Sequence, residues 1–294
     1  MLRSADLAAF LARNPAAIVA ELTRVRGSSP REAGAFMLIA ADETIGTIGG
    51  GALEHLVIAR ARQVLRDGIR GDDLEVSLGP EIGQCCGGRV DVGMRVVDEA
   101  AGRALVSRLE AGEAAQPEVF VFGAGHVGRA LARLLALLPV RATVIDTRVK
   151  ELNGLPPGVT AKATAMPEAL VRQAPRGTAY VIVTHDHALD FLIAQEALAR
   201  ADSPYVGMIG SRTKKAKFIH WYKAEGGDPA ALNRLMMPIG QQGLSAGKGT
   251  GDKRPEVIAL LAAAEIMVHI GGREVEGSGA RPVTGGEVDT VDGR

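Results

Sequence analysis

Apolar and polar positions alternate in blocks along this 294-residue chain, and the period of alternation changes at sharp boundaries. Ala17 to Val25 is a β-favouring run that ends in the polar loop Arg26-Gly27-Ser28-Ser29-Pro30-Arg31. Phe36 to Ala41 predicts a second strand, and Thr44 to Ile48 its hairpin partner across the turn Ala41-Asp42-Glu43-Thr44. After Gly49-Gly50-Gly51 the period lengthens, and Leu53, Leu56, Val57, Ala61, Val64 and Leu65 recur at the spacing of one buried helical face. Leu74 to Leu78 and Arg89 to Val97 read as further strands, followed by a helix near Arg103 to Leu109. The small and polar residues from Ala111 to Pro117 then read as a linker.

Beyond it, Glu118 to Phe122 is an apolar strand running into Gly123-Ala124-Gly125-His126-Val127-Gly128. Leu131, Leu134, Leu135 and Leu138 mark the buried stripe of the helix behind it, and the next strand, Ala142 to Asp146, ends in an acid 18 positions after Gly128. The glycine pattern alone is weak, but strand, glycines, helix, strand and terminal acid together predict a Rossmann unit. In such a unit a dinucleotide sets its pyrophosphate at the helix N-terminus beside Gly123, Gly125 and Gly128, and its ribose hydroxyls on Asp146; a fold can also outlive its ligand. Strands at Ala179 to Val183 and Tyr205 to Ile209 extend the pattern. So do a helix opened by Gly210-Ser211-Arg212, a short strand from Leu235 to Met237, and a helix from Pro255 through Met267.

The fold class expected is therefore α/β, with two domains. An N-terminal α/β domain spans 1–112, a linker 113–117, and a Rossmann-like doubly wound parallel-sheet domain 118–271. The tail, 272–294, is glycine- and charge-rich without periodicity and is expected to be disordered.

Composition narrows the function classes. Hydrophobic residues make up 47% of the chain and aromatics only 3%, as suits an alanine-, leucine- and valine-rich core. Lysine plus arginine balances aspartate plus glutamate at 34 each, so no bulk field draws the chain to nucleic acid or to an acidic membrane. The N-terminal residues lack a basic-then-apolar signal and no apolar run reaches spanning length. The two cysteines are adjacent and build no disulfide framework, which points to a reducing cytoplasm.

Both cysteines lie in Gly83-Gln84-Cys85-Cys86-Gly87-Gly88. Adjacent thiols enclosed by glycines read as a reactive loop, because a ligand can approach the bare backbone and a thiolate can attack or ligate. The alternatives are two small buried residues in a turn, a strained vicinal disulfide, or plain accident. The Gly49 to Gly51 loop exposes amides at a helix N-terminus, where Arg26, Ser28, Ser29 and Arg31 add donors for an anionic group such as phosphate. The alternative is a plain tight strand-to-helix connection with the arginines solvated, and Glu54 in the first helical turn suits the helix dipole with no chemical role. Thr184-His185-Asp186-His187-Ala188-Leu189-Asp190 follows a buried strand and reads as a polar crevice rim, with Asp190 as a helix cap, rather than as a metal site. Lys214, Lys215 and Lys217 offer phosphate donors or a solvated helix face. The stretch Gly243 to Thr250 looks like a P-loop only at a glance, since its glycine spacing is short.

Six of these blocks, in one order, resemble the xanthine dehydrogenase accessory proteins, the XdhC/CoxI family, over nearly the whole chain. They are Gly27 to Arg31, Gly49 to Glu54, Gly83 to Gly88, Gly123 to Gly128, Thr184 to Asp190, and Val206 to Arg212. Two positions depart: Ala52 stands where many relatives carry a cysteine, and the stretch near 241–251 is longer than usual. The resemblance implies a chaperone that binds the molybdenum cofactor (molybdopterin) and shields it while a cysteine desulfurase partner converts Mo=O to Mo=S. The chaperone then delivers the cofactor to the molybdenum subunit of apo-xanthine dehydrogenase. A homodimer and a carrier without its own turnover are the family expectations. Cys85 or Cys86 would then touch molybdenum or relay sulfur, and the Gly49 to Gly51 loop or Ser28 and Arg31 would hold the pterin's phosphate. The rival readings are an NAD(P)-dependent oxidoreductase using Gly123, Gly125, Gly128 and Asp146, and a cofactor-free scaffold for desulfurase and target.

Overall fold

The computed structural model describes residues 2–79, 87–240 and 252–277, with side chains through 271. The chain divides into two compact units, Met1–Ala115 and Gln116–Arg294.

The first unit is built on a five-stranded antiparallel sheet. Helix α1 (Ser4–Arg13) precedes β1 (Ile18–Arg26), β2 (Phe36–Ile39) and β3 (Thr44–Gly46); α2 (Gly51–Arg66), β4 (Gly71–Ser77), β5 (Arg89–Val96) and α3 (Glu99–Ala114) follow. The strands lie in the order β3-β2-β1-β5-β4, so β1 is central, with Ile18 opposite Ile39 on one side and Val96 on the other. Successive strand residues point to opposite faces, and both faces are used. Ile18, Leu22, Met37 and Val92 pack under the α2 stripe Leu53, Val57, Ala61 and Val64. Leu38, on the other face, packs with Leu7 and Phe10 of α1 and Leu105 of α3.

Two boundaries differ from expectation. Helix α3 starts at an N-cap, Asp98, whose carboxylate accepts the Ala101 amide at 2.7 Å, and it runs through Ala114. Part of the expected linker is therefore helical, because Ala111 and Ala114 are strong helix formers that carry α3 onward without an apolar stripe.

The second unit holds six parallel strands. In chain order it comprises β6 (Glu118–Phe122), α4 (His126–Leu135), β7 (Arg141–Asp146), β8 (Thr160–Ala163), α5 (Pro167–Gln173) and β9 (Ala179–Ile182). It continues with α6 (His187–Ala199), β10 (Val206–Met208), α7 (Arg212–Ala224), β11 (Leu235–Met236) and α8 (Pro255–Gly277). Their spatial order, β11-β10-β9-β6-β7-β8, is the doubly wound one, with its switch point between β6 and β9. Val119, Val121, Val144 and Val181 face α4 and α8. Phe122, Ile145, Tyr180 and Ile182 face α5, α6 and α7. The fold is thus the mixed α/β class read from the sequence. Helix α8 extends to Gly277, so the tail expected from 272 begins with helix, and 278–294 lie outside the described residues.

Candidate functional site

At one end of the first unit's sheet three of the sequence blocks meet. A Cβ on Gly88 would stand 2.0 Å from the Ser28 carbonyl oxygen, and one on Gly27, which has φ +74°, would stand 3.3 Å from the Gly88 Cα. Only bare backbone fits there. The Leu78 amide donates to the Gly88 carbonyl at 2.7 Å and the Gly87 amide to the Leu78 carbonyl at 2.8 Å, so the chain on both sides of the two-cysteine stretch is bound to itself and to Gly27-Ser28. On the other side of the same loop, Pro30 and Arg31 pack over Gly49. Cys85 and Cys86 themselves lie outside the described residues.

Glu54 organises the triple-glycine loop. Its Oε1 accepts the Thr47 hydroxyl at 2.5 Å, the Gly50 amide at 2.8 Å and the Ile48 amide at 3.0 Å, while Thr47 Oγ1 accepts the Gly49 amide at 3.2 Å. Burial pushes the Glu54 carboxyl up, but the bonds from Thr47, Gly50, Ile48 and Gly49 outweigh it and hold it below the usual glutamate range. Within the expected phosphate cradle the Gly50 amide is thus taken by the Glu54 carboxylate and the Gly49 amide by the Thr47 hydroxyl. Arg26 is also engaged, with Glu75 and Asp91 at 3.4 and 3.3 Å. Arg31 is exposed and enters no ion pair among the described residues.

In the second unit the glycines of the Gly123 to Gly128 turn have separate jobs. A Cβ on Gly128 would lie 1.9 Å from the Gly123 carbonyl oxygen, and one on Gly123, at φ +112°, would lie 2.5 Å from the Val183 carbonyl oxygen. These two let α4 press against the strands. Asp146, only 4% exposed, is filled from within the chain. Its Oδ2 accepts the Ala124 amide at 2.8 Å and Arg148 Nη2 at 3.1 Å; its Oδ1 accepts the Arg148 amide at 2.9 Å and Nε at 3.0 Å. Burial raises its pKa, and the Arg148 guanidinium and the two amides more than reverse that, leaving it depressed. The oxygens of Asp146, the residue expected to hold ribose hydroxyls, are therefore hydrogen-bonded by the protein's own donors. A small hollow opens beside it, between the ends of β6, β7 and β9, with Thr147, Pro167, His185 and Leu189 in its wall.

The sequence missed the most deeply buried ion pair. Lys214 Nζ donates to Asp190 Oδ2 and, at 3.0 Å, to the Ile209 carbonyl; Asp190 Oδ1 accepts the Thr184 hydroxyl at 2.6 Å. Lys214 is 7% exposed and Asp190 0%, so neither the solvated lysine nor the capping role for Asp190 holds. Asp186 caps α6 instead, accepting the Ala188 amide at 2.8 Å. Asp190 is spent on Lys214 and Thr184, and no group of three or more metal-binding side chains gathers among the described residues. Among those residues, too, no helix is long and apolar enough to cross a membrane.

Over 260 residues the chain is 29% identical to "Uncharacterized protein YqeB" of Escherichia coli (strain K12), a match covering 85% of this chain and 42% of that protein. The chain thus spans less than half the length of this relative. A crystal structure described as a xanthine dehydrogenase from Bacillus halodurans shares the fold, with a TM-score of 0.74 at 20% identity over 95% of this chain and 98% of that one. Residues 10–75 match the XdhC and CoxI family, and residues 119–266, half of the chain, match the XdhC Rossmann domain. The chain belongs to the XdhC family.

Proposed function

We propose that this protein is a carrier of the molybdenum cofactor: it holds the cofactor through sulfuration and hands it to an apo-xanthine dehydrogenase. Membership of the XdhC family supports the accessory role. The observation that carries the reading is the meeting of Gly27 to Arg31, the Gly49 to Gly51 loop and the flanks of the two-cysteine stretch at one end of one sheet. In this reading Cys85 or Cys86 supplies a soft thiolate for a thiophilic metal or for sulfur relay. Arg31, with the Ser28 hydroxyl, holds the pterin's phosphate, and Glu54 keeps the loop between them in shape. A cysteine desulfurase and the apo-enzyme are the partners, the carrier acts in the cytoplasm as a homodimer, and release follows when the apo-enzyme competes successfully for the cargo.

Coexpression with the target, purification, and oxidative release of a fluorescent pterin test this. Stoichiometric pterin, reduced in Cys85→Ala or Cys86→Ala and in Arg31→Ala, supports the carrier. A pterin-free chain that oxidises NADH supports an oxidoreductase instead. Normal maturation of xanthine dehydrogenase in cells lacking the protein would overturn the proposal outright.

A further inference from the structure

We infer that the outward face of α8 is the surface on which two copies of this chain pair, the two helices running antiparallel across a twofold axis at Ala264.

Helix α8 is apolar on both sides. Ala259, Ala263 and Ile266 are buried in the core beneath it. On the opposite side Val257, Leu260, Ala264, Val268 and Gly271 follow one another at intervals of three and four residues, which is one face of a helix. Leu260 is 58% and Val268 67% exposed, and Ala264 between them is exposed as well. From Val257 to Gly271 the one Asp, Glu, Lys or Arg is Glu265, and it points inward. Its Oε2 accepts the Tyr205 hydroxyl at 2.6 Å and the Gly240 amide at 3.0 Å. Those bonds fix the rotation of α8, so the helix cannot turn to hide its outer stripe. A helix apolar all round belongs in an interior, and such a face left outward marks a contact surface.

The occupant follows from the pattern of the stripe. Leu260 and Val268 stand four residues to either side of Ala264. A twofold axis at Ala264 therefore sets Leu260 of each copy against Val268 of the other, the self-complementary arrangement that an isologous contact requires. Ala264, at the crossing, is small enough to let the two helices approach to the near end of the usual range of about 8–10 Å between axes. With no exposed charge between Val257 and Gly271, nothing repels an identical face and nothing selects a partner of opposite charge. A lipid surface selects helices with lysine or arginine beside the apolar face, and residues 257–271 contain neither.

Sedimentation velocity of the full chain over a range of concentrations tests this. The wild type is expected to be a dimer. Leu260→Glu and Val268→Glu each put a charge into the contact and should weaken the dimer by about tenfold or more. Both positions are exposed, so the circular dichroism and melting temperature of the monomer should be kept. In a Cys85→Ser, Cys86→Ser background, Ala264→Cys should link two chains on mild oxidation. Glu256→Cys should not, because eight residues on either side of the axis hold it about 24 Å from its counterpart, too far for a disulfide. A monomeric wild type would overturn the assignment, as would a dimer that keeps its affinity in both glutamate variants or a crosslink as strong at position 256 as at 264. In a monomeric wild type, a lower melting temperature of Leu260→Glu would assign the face to a contact within the chain, and flotation with phosphatidylcholine vesicles would assign it to lipid. Pterin content of the same samples keeps the two readings apart: a monomer that still carries pterin sinks the interface and leaves the carrier standing.

Discussion

At the scale of single residues, the glycines of the Gly123 to Gly128 turn make the sharpest contrast. Gly128→Ala places a methyl group against the Gly123 carbonyl, 1.9 Å from it, and must push α4 off the sheet. A loss of about 3 kcal/mol is expected by urea unfolding. Gly125→Ala meets nothing and should stay within about 0.5 kcal/mol of the parent. Equal losses in the two variants would contradict the division of labour. Lys214→Met strands the Asp190 carboxylate, buried and without its cation, and should cost about 3–5 kcal/mol. Adding Asp190→Leu removes the orphaned charge and should restore most of that loss; a double variant as unstable as the single would show that the ion pair is not the cause. The six sequence blocks were legible because glycine, cysteine and acid in a fixed order carry chemistry in their identity. Lys214 was not, because a lysine on a helix is ordinarily solvated. Its burial depends on Asp190, 24 positions earlier, standing at the same crevice. The capture of the loop amides by Glu54 was hidden for a related reason: it is set by how a side chain folds back, which spacing does not encode.

At the scale of elements, strong periodicity found its elements and weak periodicity lost them. Strands β1, β2, β6, β7 and β9 and helices α2 and α4 all stand where alternation or a stripe placed them. Helix α1 buries only Leu7 and Phe10, β8 reads Thr-Ala-Lys-Ala with every residue exposed, and α5 is a mere seven residues; none gives a pattern to read. Short elements of this kind are held by tertiary links. Arg200, just past α6, donates to the Val171 and Ala174 carbonyls of α5 and its cap at 2.9 and 2.7 Å, and its fork also holds Asp202 at 2.8 Å. Arg200, helped by the Gly177 amide, brings the Asp202 carboxyl down to about 2. Because that folded value lies below the unfolded one, near 3.9, the link contributes stability above pH 4 or so and loses it as pH falls toward 2. Asp202→Asn should therefore melt below the parent at neutral pH, and the gap should close in acid. A gap that persists at the acid end would assign the loss to packing.

At the scale of the whole molecule, the optical probes sit in one unit. All three tyrosines, Tyr180, Tyr205 and Tyr222, and the single tryptophan, Trp221, belong to the Rossmann unit. Burial pushes Tyr180 up to about 12. It pushes Tyr205 higher still, helped by the adjacent Glu265, whose Oε2 accepts the Tyr205 hydroxyl at 2.6 Å. Tyr222 is raised by burial as well. A phenol whose folded pKa exceeds its unfolded value near 10 contributes stability that is complete below that pH and is lost as pH rises through about 12, since the unfolded chain gives up its proton first. The folded protein should therefore show little tyrosinate absorbance at pH 10, where free tyrosine is half ionised. Tyrosinate should then appear together with a change in Trp221 emission, since Trp221 packs on Phe191 and Phe218 in the same core as Tyr180 and Tyr222. That joint transition reports loss of the Rossmann unit, and far-ultraviolet circular dichroism followed alongside it tells whether the antiparallel sheet of the first unit outlives it. Tyrosinate growing around pH 10 with Trp221 emission unmoved would mean that the phenols titrate in a folded unit and are not sealed in its core.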